Sequence, residues 1–298
     1  MNRRKFAKTV AVASVAATAG LYANIPDMSE AVQRNRRKGI MWESIGIGET
    51  ILEKFRCAKD AGFDGVEVMS HLDRAETLKA SEITGMPIAS VCGALHWQYP
   101  VCDPKPEVRE QGIAALTVAL EDAAAYSTDT VLFVPGRVNE TVSYDECWDR
   151  TAEALKKVIP LAEKLQIKIA IENVWNNFLL SPIEAAIFVD SFKSPMVAFY
   201  FDCGNILPYG FPEQWIKILN KRIARVHIKE YSNRIANTQG KSAGFNVKLT
   251  EGDVDWSAVM KTLDDINYDS WTTIEQPGGN TPEGLADLCN RLKIIQSS

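Results

Sequence analysis

Short apolar runs alternate along most of the chain with longer segments whose apolar positions recur every three to four residues. The runs read GIMWESI, DGVEVMS, PIASVCGAL, TVLFVPG, IKIAIEN, VAFYFDCGN, ARVHIKE and SWTTIEQ. Between two of them, SYDECWDRTAEALKKVIPLAEKLQ sets Trp148, Ala152, Leu155, Ile159 and Ala162 at helical spacing. Helix starts are marked as well. Ser143 with Glu146 and Ser181 with Glu184 fit capping boxes, and Pro182 and Pro282 stand where a first-turn proline is favoured. Strands alternating with helices pair in parallel through right-handed crossovers. Eight such units over positions 39–298 predict an α/β fold, a single-domain closed (β/α)8 TIM barrel. An open doubly wound sheet is the competing architecture. Its Gly-rich phosphate turn is missing, because IGIGETILEKF lacks the G-x-G-x-x-G spacing.

The first residues follow a different pattern. MNRRKFAK pairs Arg3 with Arg4, and TVAVASVAATAG follows, an Ala-rich run with Ala17-Thr18-Ala19 as a processing site. Residues 1–23 therefore read as a twin-arginine export signal. The run is too short and too weakly apolar for a spanning helix of about 20 residues, so stable membrane insertion is not expected. A polar, basic and poorly ordered linker is predicted over 24–38. The expected destination is the periplasm.

Composition narrows the partners. The 298 residues carry a net charge of −5 with no basic run in the body, which gives no footprint for nucleic acid. A small, uncharged or metal-chelating molecule suits the chain better, and self-association is left open. Cys57, Cys92, Cys102, Cys147, Cys203 and Cys289 lack the close spacing of a disulfide framework or a zinc site. They read as small core residues, as fits a protein that folds before export.

The sequence IAIENVWNN raises a chemical question. An apolar run ends in Glu172 and Asn173, and a buried carboxylate costs several kcal/mol unless it is compensated. In a TIM barrel the active site forms at the C-terminal ends of the strands. The runs end near Glu43, Glu67 and His71, His96, Arg137, Glu172 and Asn173, Asp202 and Asn205, His227 with Lys229, and Glu275. Strand alternation puts Arg225, His227 and Lys229 on one face. A single strand-end acid is usually a loop cap or half of an ion pair. Glu172, Asp202, His227 and Glu275 end four consecutive strands, and together they form a ligand set for a hard to borderline divalent cation, Mn2+ first, with Mg2+, Co2+ or Fe2+ as alternatives.

At these residues the chain resembles a known family. IENVWNN, FDCGN, VHIKE, GDVDW and TTIEQPGG together are similar to the xylose isomerase-like TIM barrels, the sugar phosphate isomerase/epimerase group, over about positions 39–295. The resemblance places the metal ligands on Glu172, Asp202, His227 and Glu275. In the ketose 3-epimerases that it resembles, the two glutamates shuttle a proton, which implies catalytic roles for Glu172 and Glu275. Lys229, in its VHIK context, could supply positive charge to a developing oxyanion. Asn205 departs from the pattern, since those epimerases usually carry histidine there. His71, His96, Asn205, Trp42, Trp97 and Arg137 are the candidate substrate contacts, with Trp175 a further aromatic at a strand end. For the two histidines a structural role is an equal alternative, and for the tryptophans packing is. Glu43, Glu67 and Arg137 rank as supports behind the ligands. The three-zinc endonuclease branch needs many histidines, and the chain has three.

The expected activity is a divalent-metal-dependent sugar isomerase or epimerase, working by proton abstraction beside a metal-held carbonyl through an enediolate. The expected substrate is an unphosphorylated keto-sugar or derivative. The alternative is a metal-dependent lyase or dehydratase on a keto-sugar, keto-glycoside or keto-inositol. A non-catalytic sugar-binding barrel is the third reading. It predicts a lost ligand, and none of the four is missing.

Overall fold

The computed structural model describes residues 36–298. The export signal predicted over 1–23 and the linker up to residue 35 lie outside the described residues. Eight strands, β1 (Arg37–Met41), β2 (Gly65–Met69), β3 (Ile88–Cys92), β4 (Thr130–Phe133), β5 (Lys168–Glu172), β6 (Val197–Asp202), β7 (Ile223–Ile228) and β8 (Trp271–Ile274), pair in parallel with their chain neighbours. Pairing of β1 with both β2 and β8 closes the barrel, as the alternation predicts. Strand β1 takes in Arg37 and Lys38, two residues read as linker from their charge. Arg37 stacks on Trp271 at 4.1 Å, and the Lys38 amide donates to Asp64 Oδ2 at 2.7 Å, so both polar residues are anchored to the barrel.

Helices α1 (Ile51–Asp60), α2 (Arg74–Thr84), α3 (Pro106–Ala125), α4 (Tyr144–Leu165) and α5 (Pro182–Ser191) follow the first five strands. After β6 come the short α6 (Cys203–Ile206) and α7 (Pro212–Leu219); after β7, α8 (Asn233–Gln239) and α9 (Trp256–Asp265); after β8, α10 (Pro282–Gln296). None of these is long and apolar enough to cross a membrane. The inward stripe of α4 is Cys147, Thr151, Ala154, Leu155, Val158 and Ala162, so Trp148, Ala152 and Ile159 flank it and are partly buried. At its start Glu146 accepts from the Ser143 amide at 3.0 Å. Ser181 caps α5 by accepting from Glu184 N at 3.2 Å, but Glu184 reaches past it to the Leu180 amide, so the reciprocal half of that box is displaced by one residue. All six cysteines are free, and all but Cys57 are buried.

Two features of the barrel position the site. Its floor is filled by inward side chains from the strand beginnings, with Trp271 and Arg225 the largest. A Cβ on Gly65 would sit 2.5 Å from the Trp271 ring, so only glycine lets the indole lie flat across β2. The second feature is a brace beneath the long β7–α9 connection. Buried Glu230 accepts from the amides of Thr250 and Val254 and from Trp256 Nε1, the last at 2.8 Å. Gln276 accepts from Glu230 N at 2.7 Å and donates to the carbonyls of Phe245 and Val247. The VHIKE, GDVDW and TTIEQPGG motifs thus meet in one hydrogen-bonded clasp, and it seats Phe245 over the barrel mouth.

Candidate metal centre

Parallel register brings the strand ends to one level. Asp202 and His227 are direct partners across β6 and β7, Glu172 ends β5, and Glu275 immediately follows β8. One donor atom from each of the four lies within 4.8 Å of every other. His227 Nδ1 is 2.8 Å from Glu172 Oε1, 3.1 Å from Glu275 Oε2 and 3.9 Å from Asp202 Oδ2. Lys229, two residues on and facing the same way, is 3.0 Å from Glu275 Oε2.

The strand ends are tightly locked. Asn173 makes two hydrogen bonds to the Asp202 backbone, accepting from its amide and donating to its carbonyl, each at 2.8 Å. Asp202 Oδ1 caps α6 by accepting from the Asn205 amide at 2.6 Å. Its other oxygen, Oδ2, is buried without a hydrogen bond, whereas Glu275 Oε2 is ion-paired with Lys229 and lies 3.1 Å from His227 Nδ1. Burial pushes the Glu172 carboxyl up and the Asp202 carboxyl far up. Glu275 also meets a burial penalty, but Lys229 and His227 outweigh it and hold that carboxyl well below its ordinary range. Burial alone would lower the Lys229 ammonium; Glu275, Asp202 and Glu172 raise it instead. Three carboxylates converging on one imidazole nitrogen, with Asp202 Oδ2 unpartnered and burial disfavouring the charge of Glu172 and Asp202, fit a divalent cation. Three carboxylates and one imidazole are the donor set of Mn2+, Mg2+, Co2+ or Fe2+ rather than of a thiolate-seeking metal.

Glu172, His227 and Glu275 line a cavity of about 320 Å3, with Asp202 buried just behind them. One side is polar, with Glu172, Asn205, His227, Lys229, Glu275 and Glu43. The other is apolar, with Met41, Met69, Cys92, Leu132 and Val174. His96 and Trp97 close the β3 side and pack edge to face at 5.4 Å. Burial lowers the His96 imidazole to about 4, and its Nδ1 has no partner. Trp175 donates to the Asn205 carbonyl at 2.9 Å and lies 4.9 Å from the Phe245 ring, so the two aromatics roof the metal side. A larger cleft of about 460 Å3 opens at the far end of the barrel between Lys168, Lys193, Lys221 and Arg222, without a comparable ligand group.

Several candidates from the sequence fall elsewhere. Trp42 starts a 3-10 turn and packs on Phe55 and Lys54; its neighbour Met41 faces the cavity in its place. His71 lies past the end of β2 in a left-handed conformation (φ 67), exposed and bonded to Ser70 Oγ, away from the cavity. Arg137 is exposed at the rim, with its guanidinium 5.4 Å from the Trp97 ring centre. Asn205 lines the cavity, but its amide nitrogen is committed to the Asn173 carbonyl at 2.9 Å. Glu43 lines the cavity itself, while Glu67 lies beneath His227, fully buried. Phe245 also lines the cavity but carries no sequence signal, as it lies in a long connection without periodicity.

Comparison with known proteins agrees with this fold. The family model for xylose isomerase-like TIM barrels matches residues 55–295. The L-ribulose-5-phosphate 3-epimerase UlaE of Salmonella paratyphi A is 25% identical over 245 residues, covering 77% of this chain and 83% of that protein. Among solved structures, a 3-keto-D-glucoside 4-epimerase from E. coli superposes with TM-score 0.75 at 18% identity, over 88% of this chain and 100% of that one. A D-psicose 3-epimerase from Clostridium cellulolyticum, solved with D-tagatose, gives 0.72 at 15% identity, over 88% and 98%.

Proposed function

This chain belongs to the xylose isomerase-like TIM barrel family, and on that premise we propose that it is a divalent-cation-dependent isomerase or epimerase of an unphosphorylated keto-sugar or keto-sugar derivative. The observation that carries the reading is the convergence of donor atoms from Glu172, Asp202, His227 and Glu275 within 4.8 Å of one another, with Asp202 Oδ2 buried and unpartnered, beside a sugar-sized cavity that Glu172, His227 and Glu275 line. These four residues would hold the cation, with Mn2+ the first candidate from the donor set. When bound, such an ion supplies positive charge beside a substrate carbonyl and so acidifies the neighbouring C–H.

The residues do the rest. Glu172 and Glu275 enter from β5 and β8, with β6 and β7 between them, so they address a bound sugar from different sides. Each can take or return a proton at the carbon beside the carbonyl, one acting as base and the other as acid. Lys229 brings a positive charge to the oxygen on which negative charge develops. Trp175 and Phe245 cover the site and limit access of water.

A neutral substrate is favoured by the lining. Among the described residues that line the cavity, Lys229 is the sole lysine or arginine, and Glu275 already pairs it. A phosphate held beside the ligands would meet Glu43, Glu172 and Glu275, and Arg137 and Lys241 lie outside the lining, against Trp97 and Trp175. The names of the structural relatives, a keto-glucoside epimerase and a psicose epimerase, point the same way, while the phosphosugar named for UlaE does not. Export by the twin-arginine route to the periplasm, inferred from MNRRKFAK, also favours an unphosphorylated compound. Replacing Arg3 and Arg4 by lysine should leave precursor inside the cell, and normal export of that variant would remove this part of the proposal.

The activity is tested by incubating the Mn2+-loaded enzyme with keto-hexoses, keto-pentoses and 3-keto-glucosides in D2O and following them by NMR. Deuterium should enter beside the carbonyl and an epimer or isomer should accumulate. Loss of a substituent instead would assign a lyase. No exchange with any of these compounds, with Mn2+, Mg2+ or Co2+, would overturn the enzymatic reading.

A further inference from the structure

Buried in the barrel below the ligands is a carboxylate to which the reaction assigns no proton. Glu67 has no exposed surface, and its Oε1 lies 2.9 Å from His227 Nε2, on the side of the ring facing away from the ligand oxygens. Its Oε2 accepts from Ser90 Oγ and from Tyr200 Oη, each at 2.5 Å. The Tyr200 ring is also packed 4.4 Å from the His227 ring. Three donors from β3, β6 and β7 thus converge on one side chain of β2, and a ring that could otherwise rotate is held at its far nitrogen and on its face.

We propose that Glu67 is a positioning residue: it fixes the tautomer and orientation of His227 so that the proton stays on Nε2 and the lone pair of Nδ1 is presented to the cation. The inference rests on the reading of Glu172, Asp202, His227 and Glu275 as a metal centre. Two observations argue for this division of labour. Nδ1 is the nitrogen that lies among the ligand oxygens, within 3.9 Å of Glu172, Glu275 and Asp202. Nε2 faces Glu67, which receives further donors from Ser90 and Tyr200 and so is set up to accept. An imidazole that donates its outer N–H to a carboxylate is a better-oriented and more basic ligand, and removal of such a partner typically weakens metal binding about 10–100-fold. Ser90 and Tyr200 act one step further out by holding Glu67 in place.

The test uses Mn2+ titration calorimetry for affinity, and long-range 1H–15N NMR of the Mg2+-loaded protein for the tautomer. The chain has three histidines, and the variants His71→Gln and His96→Gln assign the His227 signals. Wild-type protein should show a protonated Nε2 and an unprotonated Nδ1. Glu67→Gln should raise the Mn2+ Kd about 10–100-fold, while Tyr200→Phe and Ser90→Ala, which each remove one donor to Glu67, should raise it roughly two- to tenfold. The two milder variants carry the test if Glu67→Gln does not fold. A wild-type protein that binds Mn2+ with Nδ1 protonated, or an affinity unchanged in all the variants that fold, would overturn the role of Glu67 and leave the metal centre standing. Failure of the wild-type protein to bind Mn2+ or Mg2+ would overturn the metal centre itself, and this inference with it.

Discussion

Two buried polar clusters share one face of β7, two residues apart, and they are built on opposite plans. At the lower end Arg225 donates twice to the Ala89 carbonyl, once to Ala224 O and once to Ser270 Oγ, and it pairs with Asp129. Every branch of its guanidinium is occupied. At the upper end His227 stands among three carboxylates, and Asp202 Oδ2 has no hydrogen bond. Both clusters are desolvated at considerable cost. The lower one is offset inside the protein, whereas the upper one is left incomplete and calls for something from outside. Burial of charge therefore does not mark a site; several buried carboxylates converging on one point with a bonding position unmet do.

The comparison can be broken most severely by exchanging the effects of the two ends. Asp202→Ala or His227→Ala should abolish stoichiometric Mn2+ and lower turnover roughly a thousandfold or more, since several kcal/mol of charge stabilisation is lost. Arg225→Met should leave Mn2+ content unchanged and lower folding stability by about 1–2 kcal/mol, read from urea melts, because the Ala89 and Ala224 carbonyls lose their donor while the exposed Asp129 is rehydrated. Metal loss in the Arg225 variant would erase the distinction.

A finer test adds the missing partner. At a free Mn2+ concentration of about 100 Kd the parent should gain about 2.7 kcal/mol, and Asp202→Asn should gain almost nothing. Without metal the order should reverse. Asp202→Asn removes a burial-disfavoured charge and should be about 1–2 kcal/mol more stable than the parent, the usual exchange of stability for function. Equal stability of the two metal-free proteins would show that the upper cluster is balanced internally after all.

Smaller effects are expected at the roof and the rim. Gln276→Ala removes the bonds to the Phe245 and Val247 carbonyls and should raise KM several-fold with kcat nearly unchanged, an effect of about 1 kcal/mol on binding. His96 has a folded pKa of about 4 against an ordinary 6.5. Because the folded value is depressed, the unfolded chain binds the extra proton, and stability is lost as pH falls from about 6.5 towards 4. The loss should be of order 1 kcal/mol, as the ring is only partly covered. His96→Gln should flatten that segment of the stability–pH curve.

The barrel and its ligands were legible because both are written as periodic signals. Continuous apolar runs announce strands covered on both faces, and an acid or imidazole ending such a run has nowhere to go but the mouth. That reasoning placed Glu172, Asp202, His227, Glu275 and Lys229 together. It misled where the chain leaves the strand before the residue in question. Trp42 and His71 follow β1 and β2 in a 3-10 turn and a left-handed turn, and alternation no longer says where their side chains point. Phe245 was invisible for the opposite reason. Its position depends on Glu230 and Gln276, which are remote in sequence and gripped by backbone groups that carry no side-chain signal.

The filled floor has a kinetic consequence. With Trp271 against Gly65 and Arg225 spanning to β3, the lower end of the chamber is filled by side chains, and sugars come and go by the strand-end mouth, where Phe245 sits. Arrival and departure must take turns through it. A product still in the chamber blocks the next sugar outright, so inhibition by product should be strictly competitive, and the pace of turnover can be set at the threshold as readily as by the chemistry within.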